Sequence, residues 1–391
     1  MLISSYSLHL GGVESSLIAL LNQLASNEEI KIDLLLEKNE GDLLKEVPES
    51  VNVLETPEIL KIFRIDKADV PLVLFKLLYN FKIIVVFWYL YYVFIGTVRR
   101  NMEKSRQRFW VKCNKYFNYT NEYEFVISFH YTVTSYFVVD KIESKNKFVW
   151  IHGDYRNMDR DKEIDRFYLN KFDKIVTVSQ ECVNGLRSVF PEYSIKIIEI
   201  PNLLPKRKIM ELSKEPFEVG KIDGKFNIVS VSRIDKYKGY DIAIPAVSKL
   251  LNENLINKWY IVGDGNYKRK LKVLIKKFGL TNYVELTGKL DNPYKVIDTC
   301  DIFLHPSRFE GKSVAVEEAK LLKKPIVITN YSTVNDQILH NHNGYIVEMD
   351  SESIYRGLKE VMINQPLKHT LLKNLEIEYL EEIDVLSELF K

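Results

Sequence analysis

Ser307-Arg-Phe-Glu-Gly-Lys-Ser-Val-Ala-Val-Glu-Glu-Ala319 decides how this chain reads. A strand-like run, residues 301–305, leads into it, and a helix-like run, residues 314–322, leads out. Glu310 stands in the loop before the helix, and Glu318, eight residues on, lies about one and a half turns inside it. Between them Gly311, Lys312, Ser313 and Val314 fall where a helix start points its backbone N–H groups outward. Such an end attracts anions, phosphate above all. One element therefore offers amides to a phosphate and carboxylates to neighbouring hydroxyls. A sugar nucleotide has both. A capped helix start with an exposed glutamate is the plainer alternative.

Working outward, residues 226–232 alternate as a strand and end at Arg233-Ile-Asp-Lys-Tyr-Lys238-Gly239. Arg233 closes the strand, Lys238 follows five residues later, and Gly239 opens the next helix. Ligands of open α/β sheets bind at that edge, and guanidinium and ammonium groups both suit phosphate oxygens. A solvated basic turn is the alternative here.

Taken together, Ser-Arg-Ile-Asp-Lys-Tyr-Lys-Gly at 232–239, Val-Gly-Asp-Gly at 262–265 and the pair Glu310 and Glu318 resemble the C-terminal half of family 4 glycosyltransferases. Gly11-Gly12-Val-Glu14 and Trp150-Ile-His152-Gly match as well, so the resemblance spans nearly the whole chain. It implies the GT-B fold, an α/β architecture of two Rossmann-like domains facing a central cleft, with a C-terminal helix crossing back to the first domain. It implies a retaining, nucleotide-sugar-dependent transferase of the bacterial polysaccharide-biosynthesis type.

The general properties agree. A chain of 391 residues suggests two or three domains, and 46% hydrophobic residues is a globular composition. A net charge of +2 gives no pull toward nucleic acid. Cys113, Cys182 and Cys300 are too scattered for a disulfide framework or a zinc site, which fits the cell interior. Residues 1–10 lack the basic start and long apolar run of a signal peptide.

Strands and helices alternate along the chain, as parallel sheets flanked by helices require. A helix is predicted over 13–24. Strands are predicted at 30–36, 51–54, 125–129, 147–151, 174–178 and 196–200, then at 226–232, 259–262, 284–287, 301–305, 325–329 and 345–347. Residues 1–204 read as an acceptor-binding domain, 205–224 as a linker, 225–370 as a nucleotide-sugar domain and 371–391 as a terminal helix. Only Leu2 and Ile3 precede Ser4-Ser5, so the first strand is short or begins upstream of Met1, leaving the 11–12 turn less firmly anchored.

Further candidates lie at predicted strand ends. Gly12, at a helix start, allows close backbone approach to a ligand. His152 closes a strand before Gly153 and is read as a site residue; His130 closes another and is a weaker acceptor-side candidate. Asn202 follows a strand and Pro201 and carries over weakly. Asp159-Arg-Asp161 has the D-x-D form that holds a divalent metal elsewhere. Its mixed-charge surroundings, residues 157–166, read instead as a solvated helix face, so no metal ligand is assigned.

Residues 83–95 form an unbroken run of thirteen apolar residues, short of the roughly 20 that span a bilayer. Residues 99–112 carry six basic residues (Arg99, Arg100, Lys104, Arg106, Arg108, Lys112) against Glu103 alone. An aromatic segment beside a basic stretch suits the interface of an anionic membrane. A buried helix is the alternative.

The combined expectation is transfer of a hexosyl or N-acetylhexosaminyl group from a UDP-linked donor to a glycan or lipid-linked acceptor. The protein would be cytoplasmic and peripheral on the inner membrane face. Arg233 and Lys238 would hold the diphosphate, Glu318 the ribose, Glu310 the donor sugar, and residues 311–314 would present amides. His152 would stand beside the reacting sugar. No metal cofactor is expected, because two fixed cations supply the same electrostatic stabilisation. A GT-B epimerase and a non-catalytic GT-B subunit stay open as alternatives.

Overall fold

A computed structural model describes residues 1–63, 70–80, 82–220, 222–377 and 384–390. Parts of three sequence-based segments fall outside this set: residue 81 of the apolar region, residue 221 of the linker, and residues 378–383 and 391 of the terminal helix. The chain divides into two compact units. One holds Met1–His9, Leu17–Pro201 and Val385–Lys391; the other holds Leu10–Ser16 and Asn202–Asp384.

The first unit is built on β1 (Leu2–Ser5), β2 (Ile32–Leu36), β3 (Val51–Val53), β4 (Asn121–Glu122), β5 (Phe125–Ser128), β6 (Ile142–Glu143), β7 (Asn146–Ile151), β8 (Lys174–Thr177) and β9 (Ile197–Glu199). Seven of these form a parallel sheet in the order β3-β2-β1-β5-β7-β8-β9, and β4 pairs β6 separately. The second unit carries β10 (Phe226–Val231), β11 (Ile256–Val262), β12 (Val284–Gly288), β13 (Ile302–His305), β14 (Ile326–Thr329) and β15 (Tyr345–Val347), ordered β12-β11-β10-β13-β14-β15. Parallel strands covered by helices on both faces bury successive residues. Accordingly β13 and β14 are buried throughout.

Strand order reverses direction at β1 and β5 in the first sheet, and at β10 and β13 in the second. These are the switch points, where the loops leaving neighbouring strands part and open a crevice. Position thus comes from topology. Residues just after β10 and β13 are brought side by side although seventy positions separate them.

The short first strand is a full central strand: all four residues of β1 are buried, and it pairs β2 and β5. The first unit's core is aromatic, with Phe63 centred 4.5 Å from Phe109 and 4.7 Å from Trp110.

Three sequence expectations need correction. The stretch read as a linker contains a helix, Lys206–Leu212, whose Ile209 is buried in the second unit's core. The single terminal helix is two helices, Gln365–Ile377 and Val385–Phe390. The second lies in the first unit, where the Val385 N–H donates to Gln23 Oε1 at 3.3 Å.

The mixed-charge stretch at 157–166 is solvated only in part: Asn157, Asp159, Lys162 and Glu163 are exposed, but two of its charges are not. Arg160 and Asp165 are buried and joined by two hydrogen bonds of 2.8 and 3.1 Å. Arg160 also reaches Glu103 at 2.6 Å, and the hydroxyls of Tyr131 and Tyr155 donate to Asp165 at 2.7 and 2.5 Å. Burial opposes ionisation of Asp165, but the Arg160 guanidinium and the tyrosine hydrogen bonds hold its carboxyl below the usual range. The D-x-D carboxylates are engaged too: Asp159 by Lys104, Asp161 by Arg108 at 2.8 Å.

Candidate functional site

Three loops of the second unit are stitched together at its switch point. The first follows β10. Gly239 has φ 67°, and a Cβ there would lie 1.8 Å from the Pro306 carbonyl oxygen, so only glycine allows this turn to meet the loop after β13. The second follows β11. Gly263, at φ 141°, passes so close to Ser232 that a Cβ would lie 1.9 Å from its oxygen. Within the same Val-Gly-Asp-Gly stretch, the Asp264 carbonyl accepts from Ile234 N–H at 2.9 Å. The third follows β13: Arg308 forks onto both Asp241 oxygens at 2.7 and 3.0 Å, and its N–H donates to the Tyr237 carbonyl.

This stitching places Lys238 Nζ 2.6 Å from Glu310 Oε1. His305 Nε2 lies 2.9 Å from the same oxygen. An ionised carboxylate only accepts, so that nitrogen carries a proton. Burial pushes the Glu310 carboxyl up, but the Lys238 ammonium and the His305 hydrogen bond outweigh it and hold it well below the usual range. Glu310 is thus a fixed, ionised acceptor at a strand-end crevice. Arg233 is brought near the same strand ends but remains 79% exposed, 3.9 Å from Asp235.

Glu318 differs. It is buried in the helix Val314–Leu321, where the Tyr294 hydroxyl donates to its Oε1 at 3.2 Å. Burial raises its carboxyl to about 7, only partly offset by that hydrogen bond.

The helix start is less open than the sequence suggests. The Ser313 N–H donates to Gln337 Oε1 at 2.7 Å, so that amide is committed to the protein. The Lys312 carbonyl accepts from Asn202 Nδ2 at 3.2 Å. Gly12 falls among the second unit's residues, and a Cβ there would meet the Val314 Cβ at 2.8 Å.

His152 and His130 belong to the first unit, after β7 and β5. Their rings are centred 6.2 Å apart. His152 Nε2 lies 2.8 Å from the Phe129 carbonyl, which fixes the proton on that nitrogen. His340 and His342 are exposed. Among the described residues, no three His, Cys, Asp or Glu side chains are grouped as a metal site.

Sequence reasoning missed His305, Tyr294 and Gln337. For His305 the signal was present: like His152, it is a histidine closing a strand. Tyr294 and Gln337 sit on elements with no motif, and only the fold turns them toward Glu318 and Ser313.

Residues 213–376 match the family model for glycosyl transferases, group 1. That span contains Arg233, Lys238, His305, Glu310 and Glu318. An uncharacterized glycosyltransferase of Methanocaldococcus jannaschii, MJ1059, is 29% identical over 177 residues, 44% of this chain and 44% of its own. The N-acetylgalactosamine-N,N'-diacetylbacillosaminyl-diphospho-undecaprenol 4-alpha-N-acetylgalactosaminyltransferase of Campylobacter jejuni is 33% identical over 143 residues, 36% of this chain and 38% of its own. The chain spans about half the length, or less, of these curated relatives. Anabaena Alr3699/HepE, solved in complex with UDP-glucose, superposes with a TM-score of 0.63 at 16% identity, covering 96% of this chain and 93% of its own. The architecture is the GT-B fold.

Proposed function

We propose that this protein is a retaining glycosyltransferase acting in surface polysaccharide assembly. It moves a hexosyl or N-acetylhexosaminyl group from a UDP-linked donor to a hydroxyl of a glycan or lipid-linked acceptor. The observation that carries the reading is Glu310, held ionised by Lys238 and His305 at the second unit's switch point, inside the span that matches group 1 transferases. The UDP-glucose complex of HepE and the diphospho-undecaprenol substrate in the Campylobacter relative's name support the donor and acceptor classes.

In this reading the second unit holds the donor. Arg233 and Lys238 bind the diphosphate; an ammonium has three donors, so Lys238 serves Glu310 and a phosphate oxygen together. Glu310 accepts from the donor-sugar hydroxyls, Glu318 from the ribose, and Gly12, Gly311, Lys312 and Val314 supply backbone to sugar and phosphate. The first unit holds the acceptor, with His152 on the reacting side and His130 beside it. The sugar C1–O bond to the diphosphate breaks and a C1–O bond to the acceptor forms on the same face. The acceptor proton passes to the leaving phosphate oxygen. Arg233 and Lys238 stabilise the charge that develops there without a metal. A cytoplasmic location against the inner membrane face fits a lipid-linked acceptor.

The test is a thermal-shift screen of nucleotide sugars followed by transfer of the labelled hit. The correct donor stabilises the fold by mass action. No shift with any UDP- or other nucleoside-diphosphate sugar overturns the reading. A hit that is epimerised without transfer replaces it.

A further inference from the structure

Two consecutive helices, Val70–Tyr79 and Ile83–Val98, put an apolar stripe on the outside of the first unit. In the longer helix Ile83, Phe87, Phe94 and Val98 recur at helical spacing with 62–67% exposure, while Val85, Tyr89 and Gly96 face inward. In the shorter helix Phe75 and Tyr79 stack at 6.3 Å and are 67% and 76% exposed. Of 23 exposed large hydrophobic residues among the described ones, 11 fall within residues 72–98. Soluble surfaces scatter such residues singly; a concentrated patch marks a contact.

Charge decides the partner. No acidic residue occurs from Val70 to Met102. Arg99 and Arg100 are exposed at the end of the longer helix and form no ion pair among the described residues. Lys112 Nζ sits 5.1 Å from the Trp88 ring centre, beside the same helix. At the shorter helix Lys76 is paired with Glu58 at 3.1 Å, so the unneutralised cations gather at the end of the longer helix. A cationic edge beside an aromatic face complements an anionic lipid surface, and amphipathic rings suit its headgroup boundary. Among the described residues, no helix is long and apolar enough to cross a membrane.

Lys104, Arg106 and Arg108 have other partners. Lys104 and Arg108 bind Asp159 and Asp161, and Arg106 lies 3.8 Å from Glu103. Half of the basic stretch is therefore neutralised within the protein.

We infer that the first unit docks on anionic bilayers through the stripe on residues 72–98, with Arg99, Arg100 and Lys112 as its electrostatic contacts and Lys104, Arg106 and Arg108 excluded. This rests on the surface alone and is independent of the chemistry proposed for the second unit.

The experiment is flotation of full-length protein with vesicles of phosphatidylcholine, alone or with phosphatidylglycerol, across a salt series. Phe75→Ser/Phe87→Ser/Phe94→Ser alters exposed positions and lowers partitioning at least tenfold at every salt concentration. Arg99→Ser/Arg100→Ser lowers it about fivefold per arginine, only on anionic vesicles and only at low salt. Lys104→Ser/Arg108→Ser leaves it unchanged. Thermal melts confirm that each variant folds. Three outcomes overturn the inference: wild-type protein that does not float with anionic vesicles at low salt, a phenylalanine variant that floats as well as wild type, or wild-type dimers that the phenylalanine variant abolishes while neither binds vesicles.

Discussion

Lys238 and Glu310 form an ion pair of 2.6 Å with side chains only 17% and 12% exposed, whereas Arg233, at the mouth of the same loop, is 79% exposed. Removing one partner of a buried pair strands the other, which costs about 3–5 kcal/mol; an exposed cation carries no such burden. Lys238→Ala should lower both thermal stability and UDP affinity. Arg233→Ala should lower UDP affinity alone, since a lost charge-assisted hydrogen bond costs about 1.5–3 kcal/mol. Calorimetric titration beside thermal melts reads both. Unchanged affinity in the two variants removes them from the diphosphate site.

Glu318 predicts a pH signature. Burial raises its carboxyl from 4.5 to about 7, so between those values the folded protein binds more protons than the unfolded chain. Stability then falls as pH rises from about 4.5 to 7 and levels off above, a contribution of about 3 kcal/mol at most. Glu318→Gln should remove that decline. Parallel melting curves for wild type and variant across the window would contradict it. Ribose hydroxyls favour the ionised form, so UDP binding near pH 6.5 should release protons, detectable as a buffer-dependent heat.

Two glycines with nearly equal φ separate strain from contact. Gly224 has φ 76° with nothing within 4 Å of a built Cβ; Gly239 has φ 67° with the Pro306 oxygen at 1.8 Å. Gly224→Ala should cost about 1–2 kcal/mol from its left-handed backbone alone. Gly239→Ala should cost more and also weaken UDP binding, because Lys238 is its neighbour. Equal denaturation midpoints for the two variants would show that the tight approach carries no energy.

Arg160 and Asp165 are both buried, so Asp165→Asn should destabilise the first unit by about 3–5 kcal/mol. Asp159→Asn, on the same stretch but exposed, should leave the melting temperature unchanged. Urea titration of both variants distinguishes a buried anchor from a surface charge. Similar midpoints would refute the anchor.

Transfer should survive excess chelator. Asp159 and Asp161 are already bound by Lys104 and Arg108, and Lys238 stands ready at the switch point. Activity lost to chelator and restored by magnesium or manganese would return the two aspartates to consideration.

The amino-acid sequence by itself determined the strands that lead to the candidate site, though not the short pair β4 and β6. The run feeding Glu310, the run ending at Arg233 and the run ending at His152 fall where the structure has β13, β10 and β7, because local alternation and punctuation fix such elements. It also placed Glu310 before the helix start and Glu318 inside it, since spacing along one element is a local property. Tertiary structure alone decided the partners. Nothing local joins Lys238 to Glu310, which the parallel pairing of β10 and β13 brings together, or Tyr294 to Glu318, which lie on the helices before and after β13. Burial was also nonlocal. The charged run at 157–166 reads as solvated, yet Arg160 and Asp165 within it are buried, and the apolar run at 83–95, read as a membrane-interface segment or a buried helix, has one face exposed and one buried. Composition sets what a segment can bury, but only the packing of distant elements sets what it does bury.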